Sequence, residues 1–165
     1  MPAAVSNSSP LIHLARIGRF GLLRSLFTPL TIPAAVHREV VSEGRERPGA
    51  REVAQAISDA WITVVALADS SGLEQLRAAL DDGEAEAIQL ALQLQPDRVL
   101  LDEAPARRQA ERLGLKVTGT LGVLLRAKQV ALLPSVAAEL RRHQTGGGFH
   151  IAPHLTAQIL TAAGE

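Results

Sequence analysis

Residues 98–120 read RVLLDEAPARRQAERLGLKVTGT, and the reading of this stretch decides the fold. RVLLD (98–102) is a short apolar run closed by an acid, the pattern of a strand buried on both faces. APARRQAERLG then has helix composition and stops at Gly114. KVTGT (116–120) follows as a further strand. Strand, helix and strand in so short a span form a crossover unit, in which the two strands lie parallel.

The same alternation extends toward the N-terminus. Residues 3–7, PLTIP (29–33) and WITVVAL (61–67) read as strands. Between them, Leu11, Ile12, Ala15, Leu22, Leu23 and Leu26 recur at helical spacing, with Gly18 and Gly21 dividing two helices. AAVHREVVSEG continues from Pro33 as a helix closed near Gly44, and another begins at about Pro48. Ser71 and Glu74 match a capping box ahead of LEQLRAAL, and Asp82 or Gly83 opens GEAEAIQLALQL. Thr120 is placed to cap LGVLLRAKQVALL, and helices at about 134–143 and 154–163 flank TGGGFHIAP. The glycine triplet in that segment reads as a mobile connector rather than a phosphate-binding fingerprint. Strands alternating with helices imply an α/β domain whose parallel sheet is covered on both faces.

Composition narrows the function. The 165 residues suit one domain, and a 47% apolar, 21% charged make-up is that of a globular protein. Aromatics are only 2%, which argues against a base-stacking platform. With 17 basic and 17 acidic residues the chain is neutral, so any grip on a polyanion must come from a local basic patch. There is no cysteine, which excludes disulfide and thiol chemistry. No signal-type segment and no membrane-length apolar run occur, which leads us to expect a cytoplasmic location away from membranes.

In a parallel sheet, ligands gather at the carboxyl ends of the strands. Asn7 ends the first strand, Asp102 the fourth, and Thr118 lies near the end of the fifth. Glu84 opens the helix before strand four, and Glu39 lies on the helix after strand two. Carboxylates brought together repel unless a hard cation lies between them, and oxygen-rich sets suit Mg²⁺ or Mn²⁺. Each acid also has a plain structural reading. Glu84 and Glu86 suit the positive end of a helix dipole, and only one of them can face the strand ends. Glu39 sits at the rim of an apolar stripe, and Glu103 reads as a helix-starting acid. Arg107 and Arg108 could hold phosphates or could form a solvated helix face. The histidines show no zinc spacing.

In combination, VSNSSPLIHLARIG (5–18), IPAAVHREVV (32–41), LDDGEAEAIQLAL (80–92), VLLDEAPARRQAERLGLKV (99–117) and GTLGVLLRAK (119–128) resemble the PIN-like family, which includes VapC-type ribonuclease toxins. The resemblance covers about residues 3–133, leaving a helical extension at about 134–165 within one domain. It implies a three-layer α/β/α sandwich with a parallel five-stranded sheet, and a metal-dependent endoribonuclease acting as the toxin of a toxin–antitoxin pair. Residue by residue, it places Asn7, Glu39, Glu84 and Asp102 in the catalytic, metal-binding pocket, holding Mg²⁺ or Mn²⁺. It places Ser8, Ser9, Thr118 and Thr120 near the RNA substrate, and Arg107 and Arg108 are added as candidate phosphate contacts. The implied partners are RNA, a small antitoxin protein and a second copy of the chain. Relatives carry an acid where this chain has Asn7, which implies an attenuated enzyme, natural or engineered. The alternative is an inactive PIN-like module that binds RNA or a protein.

Overall fold

Ala4–Ser6 forms a three-residue strand, β1, buried throughout because a strand pairs with each of its edges and helices cover both of its faces. In this computed structural model, which describes residues 1–145 and 150–165, β1 is followed by helices α1 (Ser8–Arg16) and α2 (Gly21–Leu26). Strand β2 (Leu30–Pro33) leads into α3 (Ala34–His37), a π-helical turn over Arg38–Ser42 and α4 (Ala50–Ser58). Next come β3 (Ile62–Val65), α5 (Leu73–Arg77), α6 (Asp82–Leu94) and β4 (Arg98–Leu100). The chain continues through α7 (Ala104–Arg112), β5 (Val117–Thr118), α8 (Thr120–Gln129), α9 (Val136–Thr145) and α10 (Pro153–Ala162).

The five strands are all parallel, in the order β3-β2-β1-β4-β5. Ala4 lies opposite Leu30 on one side and Arg98 on the other, and Val5 opposite Thr31 and Val99. Successive side chains point to opposite faces, so the sheet feeds two cores. Ala4, Leu30, Ile32 and Leu100 face a core completed by α1, α2, α4, α8 and α9, with Leu11, Leu14, Leu23, Val53, Leu124 and Leu140. Val5, Val99 and Leu101 face the other, built from Leu73, Leu76, Ile88, Leu90 and Ala106 of α5, α6 and α7. The result is the expected three-layer α/β/α arrangement, with the sheet buried between helical layers.

Three local expectations change. The helix from Ala34 does not run regularly to Gly44: the Glu43 N–H reaches back to the Arg38 carbonyl at 2.7 Å, one residue further than an α-turn. A side chain at Gly44 would collide with the Val40 carbonyl, so glycine is required where this wide turn ends. Ser71 does not cap α5. Its N–H and hydroxyl both bond Asp69, at 2.8 and 2.9 Å, and Gly72 in the left-handed region starts the helix instead. Thr120 is the first residue of α8, and its hydroxyl turns to Asp102.

In the C-terminal segment, Ile159, Leu160 and Ala163 pack partly buried against the first core, while Leu155 stays 39% exposed. Glu165 closes this segment. Its carboxylate accepts from the Ser135 hydroxyl at 2.6 Å and the Val136 N–H at 2.7 Å, and pairs with Lys128 at 2.9 Å. Those donors hold its pKa down at about 2. The glycine triplet of residues 146–148 lies outside the described residues. Among the described residues, no helix is long and apolar enough to cross a membrane.

Candidate metal and RNA site

Asn7 continues the ladder one residue past β1, since its N–H donates to the Leu100 carbonyl at 3.0 Å. That bond fixes its backbone just past the carboxyl end of the middle strand, with the residue 3% exposed. The amide oxygen Oδ1 is buried and has no hydrogen-bond partner, an arrangement that costs about 1–3 kcal/mol unless something fills it. Across from it lies Gly83 in the first turn of α6. A Cβ built there would sit 2.9 Å from Asn7 Oδ1, 2.9 Å from Glu39 Oε2 and 3.6 Å from Asp81 Oδ1. Three side-chain oxygens from three elements thus converge over a residue with no side chain. An open pocket of about 300 Å³ on this side is lined by Glu39, Asp81 and Gly83, with Arg38 and Glu43 among its walls.

Glu84 joins this group through a reciprocal cap. Its N–H donates to Asp81 Oδ1 at 2.8 Å, and the Asp81 N–H donates back to Glu84 Oε2 at 3.1 Å. Burial pushes the Glu84 carboxyl above its ordinary pKa. The bond from Asp81 opposes that shift, and the negative charges of Asp81, Glu103 and Glu39 add to it. Glu86 faces elsewhere, accepting the Ala35 N–H at 3.1 Å and so serving the start of α3. Ser8 and Ser9 open α1 with two successive hydroxyls. Ser8 bonds Glu39 at 2.8 Å and Ser9 bonds Glu103 at 3.3 Å, so the first turn of α1 tethers both acids.

Asp102 makes different contacts. Its Oδ1 accepts the Thr120 N–H at 2.6 Å, and its Oδ2 accepts the Thr120 hydroxyl at 2.7 Å and meets His13 Nδ1 at 2.8 Å. The side chain is only 6% exposed. His13 in turn stacks obliquely with His143, ring centres 5.3 Å apart. Burial lowers the His143 pKa, and the neighbouring His13 lowers it further. Thr118 and Arg107 line the wall of a groove that Asp102 also borders, with Arg107 Nη1 donating to the Leu101 carbonyl at 3.1 Å. Arg108 points to solvent.

The structure therefore brings Asn7, Glu39 and Glu84 together with Ser8, and groups Asp102 with Thr120, Thr118 and Arg107. Sequence reasoning passed over Asp81 and His13, and read Glu103 only as a helix-starting acid, the place it takes ahead of α7. The Asp81-x-x-Glu84 spacing is itself a capping-box signal, whereas nothing in the sequence links His13 to Asp102. Among the described residues, no three His, Asp or Glu side chains form a ready-made ligand cage. The donor set instead fits a small hard cation that keeps several waters and takes one or two carboxylates, an amide oxygen and substrate phosphate. The unpartnered Asn7 oxygen beside Glu39 is the feature that such an ion would satisfy.

No curated protein matches the chain. A family model described as a PIN domain matches residues 3–165, which takes in α9 and α10 as well as the sheet and the acids. PIN domains are in general nucleases that act on RNA and depend on divalent metal. With its parallel sheet, its helical layers and a match spanning almost its whole length, the chain belongs to the PIN-domain family.

Proposed function

We propose that the protein is a Mg²⁺- or Mn²⁺-dependent endoribonuclease in which Asn7, Glu39 and Glu84 hold the ion and Glu103 stands at the rim. The observation that carries this reading is the buried, unpartnered Asn7 oxygen facing Glu39 across Gly83. When bound, the ion supplies charge neutralisation at the scissile phosphate and makes a nearby water more acidic. The protein's own part is positional and acid–base. The Ser8 hydroxyl fixes Glu39, and Ser9 steadies Glu103. Gly83 lets the Asn7 and Glu39 oxygens close over the first turn of α6, where a side chain would push them apart. Glu84, held by its reciprocal cap with Asp81, gives the ion a carboxylate oxygen, and Glu103, outside the ligand set, takes the proton of the attacking water. Water adds to phosphorus as the bond to the leaving ribose oxygen breaks, and the chain is cut into two pieces. The PIN-type first motif around Asn7 supports a role as the toxin of a pair, neutralised by a small antitoxin protein.

Asn7 also favours a second reading, an RNA- or protein-binding module without catalysis, because an amide in place of a carboxylate weakens the hold on a cation. Asn7→Asp separates the two. The variant should bind Mn²⁺ more tightly by calorimetry and cleave a mixed RNA pool faster than the present protein. If it gains neither affinity nor activity, the nuclease reading fails and the binding-module reading replaces it.

A further inference from the structure

A second concavity, a groove of about 1130 Å³, follows Lys116, Val117, Thr118 and Gly119 along the open edge of β5. It is lined by four cationic side chains, Arg98, Arg107, Lys116 and Arg126, and two acids, Asp97 and Asp102. The acids are already engaged: Asp97 accepts the Ala3 N–H at 2.7 Å, and Asp102 takes Thr120 and His13. Arg98, Lys116 and Arg126 are exposed and make no ion pair among the described residues. In a protein of zero net charge, three exposed cations without an ion pair thus line one groove. Asp102 and Ala104 border the groove, while Glu103 between them bonds Ser9, the neighbour of the Ser8 that holds Glu39, so the groove ends one residue from the acid site at the start of α7.

We propose that this groove holds the sugar-phosphate backbone of a single RNA strand, with Arg98, Lys116, Arg126 and Arg107 as its phosphate contacts, and delivers the strand to the acids at the start of α7. The identity of the polyanion as RNA rests on the nuclease reading; the position of the groove does not. A basic groove that tracks one backbone is the usual means of holding a single strand, and Leu121, Val130, Leu155 and Ile159 offer apolar walls for ribose and base. RNA fits better than an acidic peptide because the charge lies in separated side chains along the strand edge, at a junction with a phosphate-cleaving site.

The test is fluorescence anisotropy of a labelled, mixed-sequence RNA of about 12 nucleotides, with EDTA present so that binding is read without cleavage. Four phosphate contacts on a single strand predict roughly a fiftyfold loss of affinity between about 50 and 200 mM salt. Lys116→Gln with Arg126→Gln leaves two contacts, and the loss should shrink to about sevenfold from a weaker starting affinity. Arg51→Gln, on α4 away from the groove, should keep the original salt slope. An unchanged affinity and slope in the double variant, folded by circular dichroism, overturns the proposal, and includes the case in which a protein partner fills the groove. Cleavage with Mn²⁺ is scored separately. RNA held through these cations but never cut retains the groove and removes the nuclease reading. RNA cut equally well by the double variant retains the nuclease reading and removes the groove.

Discussion

Asp102 is the acid whose replacement gives the sharpest expectation. Its two oxygens accept three protein donors: the Thr120 N–H, the Thr120 hydroxyl and His13 Nδ1. Thr120 is 0% exposed and His13 only 7%, so water cannot replace what Asp102 supplies. Each buried donor left without an acceptor costs about 1–3 kcal/mol, and removing one partner of a buried charged network typically costs about 3–5 kcal/mol. Asp102→Ala should therefore lose roughly 3–6 kcal/mol, a large part of the roughly 5–15 kcal/mol that holds an ordinary domain together. Asp102→Asn keeps an acceptor for the Thr120 N–H, and the hydroxyl and imidazole can reverse roles, so its cost should be about 1–2 kcal/mol. Equilibrium urea unfolding followed by circular dichroism measures both, with the slope against urea unchanged. Mn²⁺ titration of Asp102→Asn should match the unaltered protein, because the ion is assigned to Asn7, Glu39 and Glu84. An Ala variant that loses less than about 1 kcal/mol, or an Asn variant that loses Mn²⁺ affinity, refutes this account of Asp102.

Three other outcomes follow from the same geometry. Glu84 has a raised pKa in the folded state, so its ionisation costs stability progressively as pH rises above the unfolded carboxyl value. Glu84→Gln keeps a capping-box side chain, and should melt higher than the unaltered apoprotein at neutral pH while binding Mn²⁺ far more weakly. Gly83→Ala should fill the space between Asn7 Oδ1 and Glu39 Oε2, and calorimetry should show metal binding weakened at least tenfold with the circular dichroism spectrum retained. Acid should act in two steps: stability falls first as pH drops below about 6.5, where His143 resists protonation inside the fold. It falls again between the ordinary carboxyl range and about 2, as Glu165 loses its depressed-pKa contacts. His143→Gln should flatten the first step and Glu165→Gln the second in thermal melts across pH.

The parts of the fold readable from the sequence are those written in local periodicity. RVLLD and PLTIP are apolar runs bounded by breakers, and β4 and β2 lie within them. The misread starts of α5 and α8 share one cause. Ser71 and Thr120 are good capping residues by type, but Asp69 captures one hydroxyl and Asp102 the other. A capping hydroxyl has to accept from a backbone N–H, and donating to a carboxylate in a charge-assisted bond turns it away from that N–H, a competition that depends on where the acid folds. Motif order pointed to Asn7, Glu39 and Glu84, which lie near one another, whereas Glu103 read only as a helix-starting acid because its tie to Ser9 joins residues 94 positions apart. The basic groove was equally hidden. Arg98 lies on β4, Lys116 just before β5 and Arg126 on α8, and only the edge position of β5 gathers them.

The strand order has a consequence for when the site comes into being. β1 is made before the other strands and is the middle one, so one edge waits for β2 and the other for β4. The Asn7 N–H finds its partner only once Leu100 has been made, and Glu103 reaches Ser9 only after that. Closing such distant pairs is slow, and the contacts that close them are lost together when the sheet opens. A nascent chain that has not yet reached Glu103 consequently has no assembled acid pocket, whatever RNA surrounds it during synthesis. Any activity then becomes a property of the released, fully paired sheet, and β1–β4 pairing acts as the safety catch.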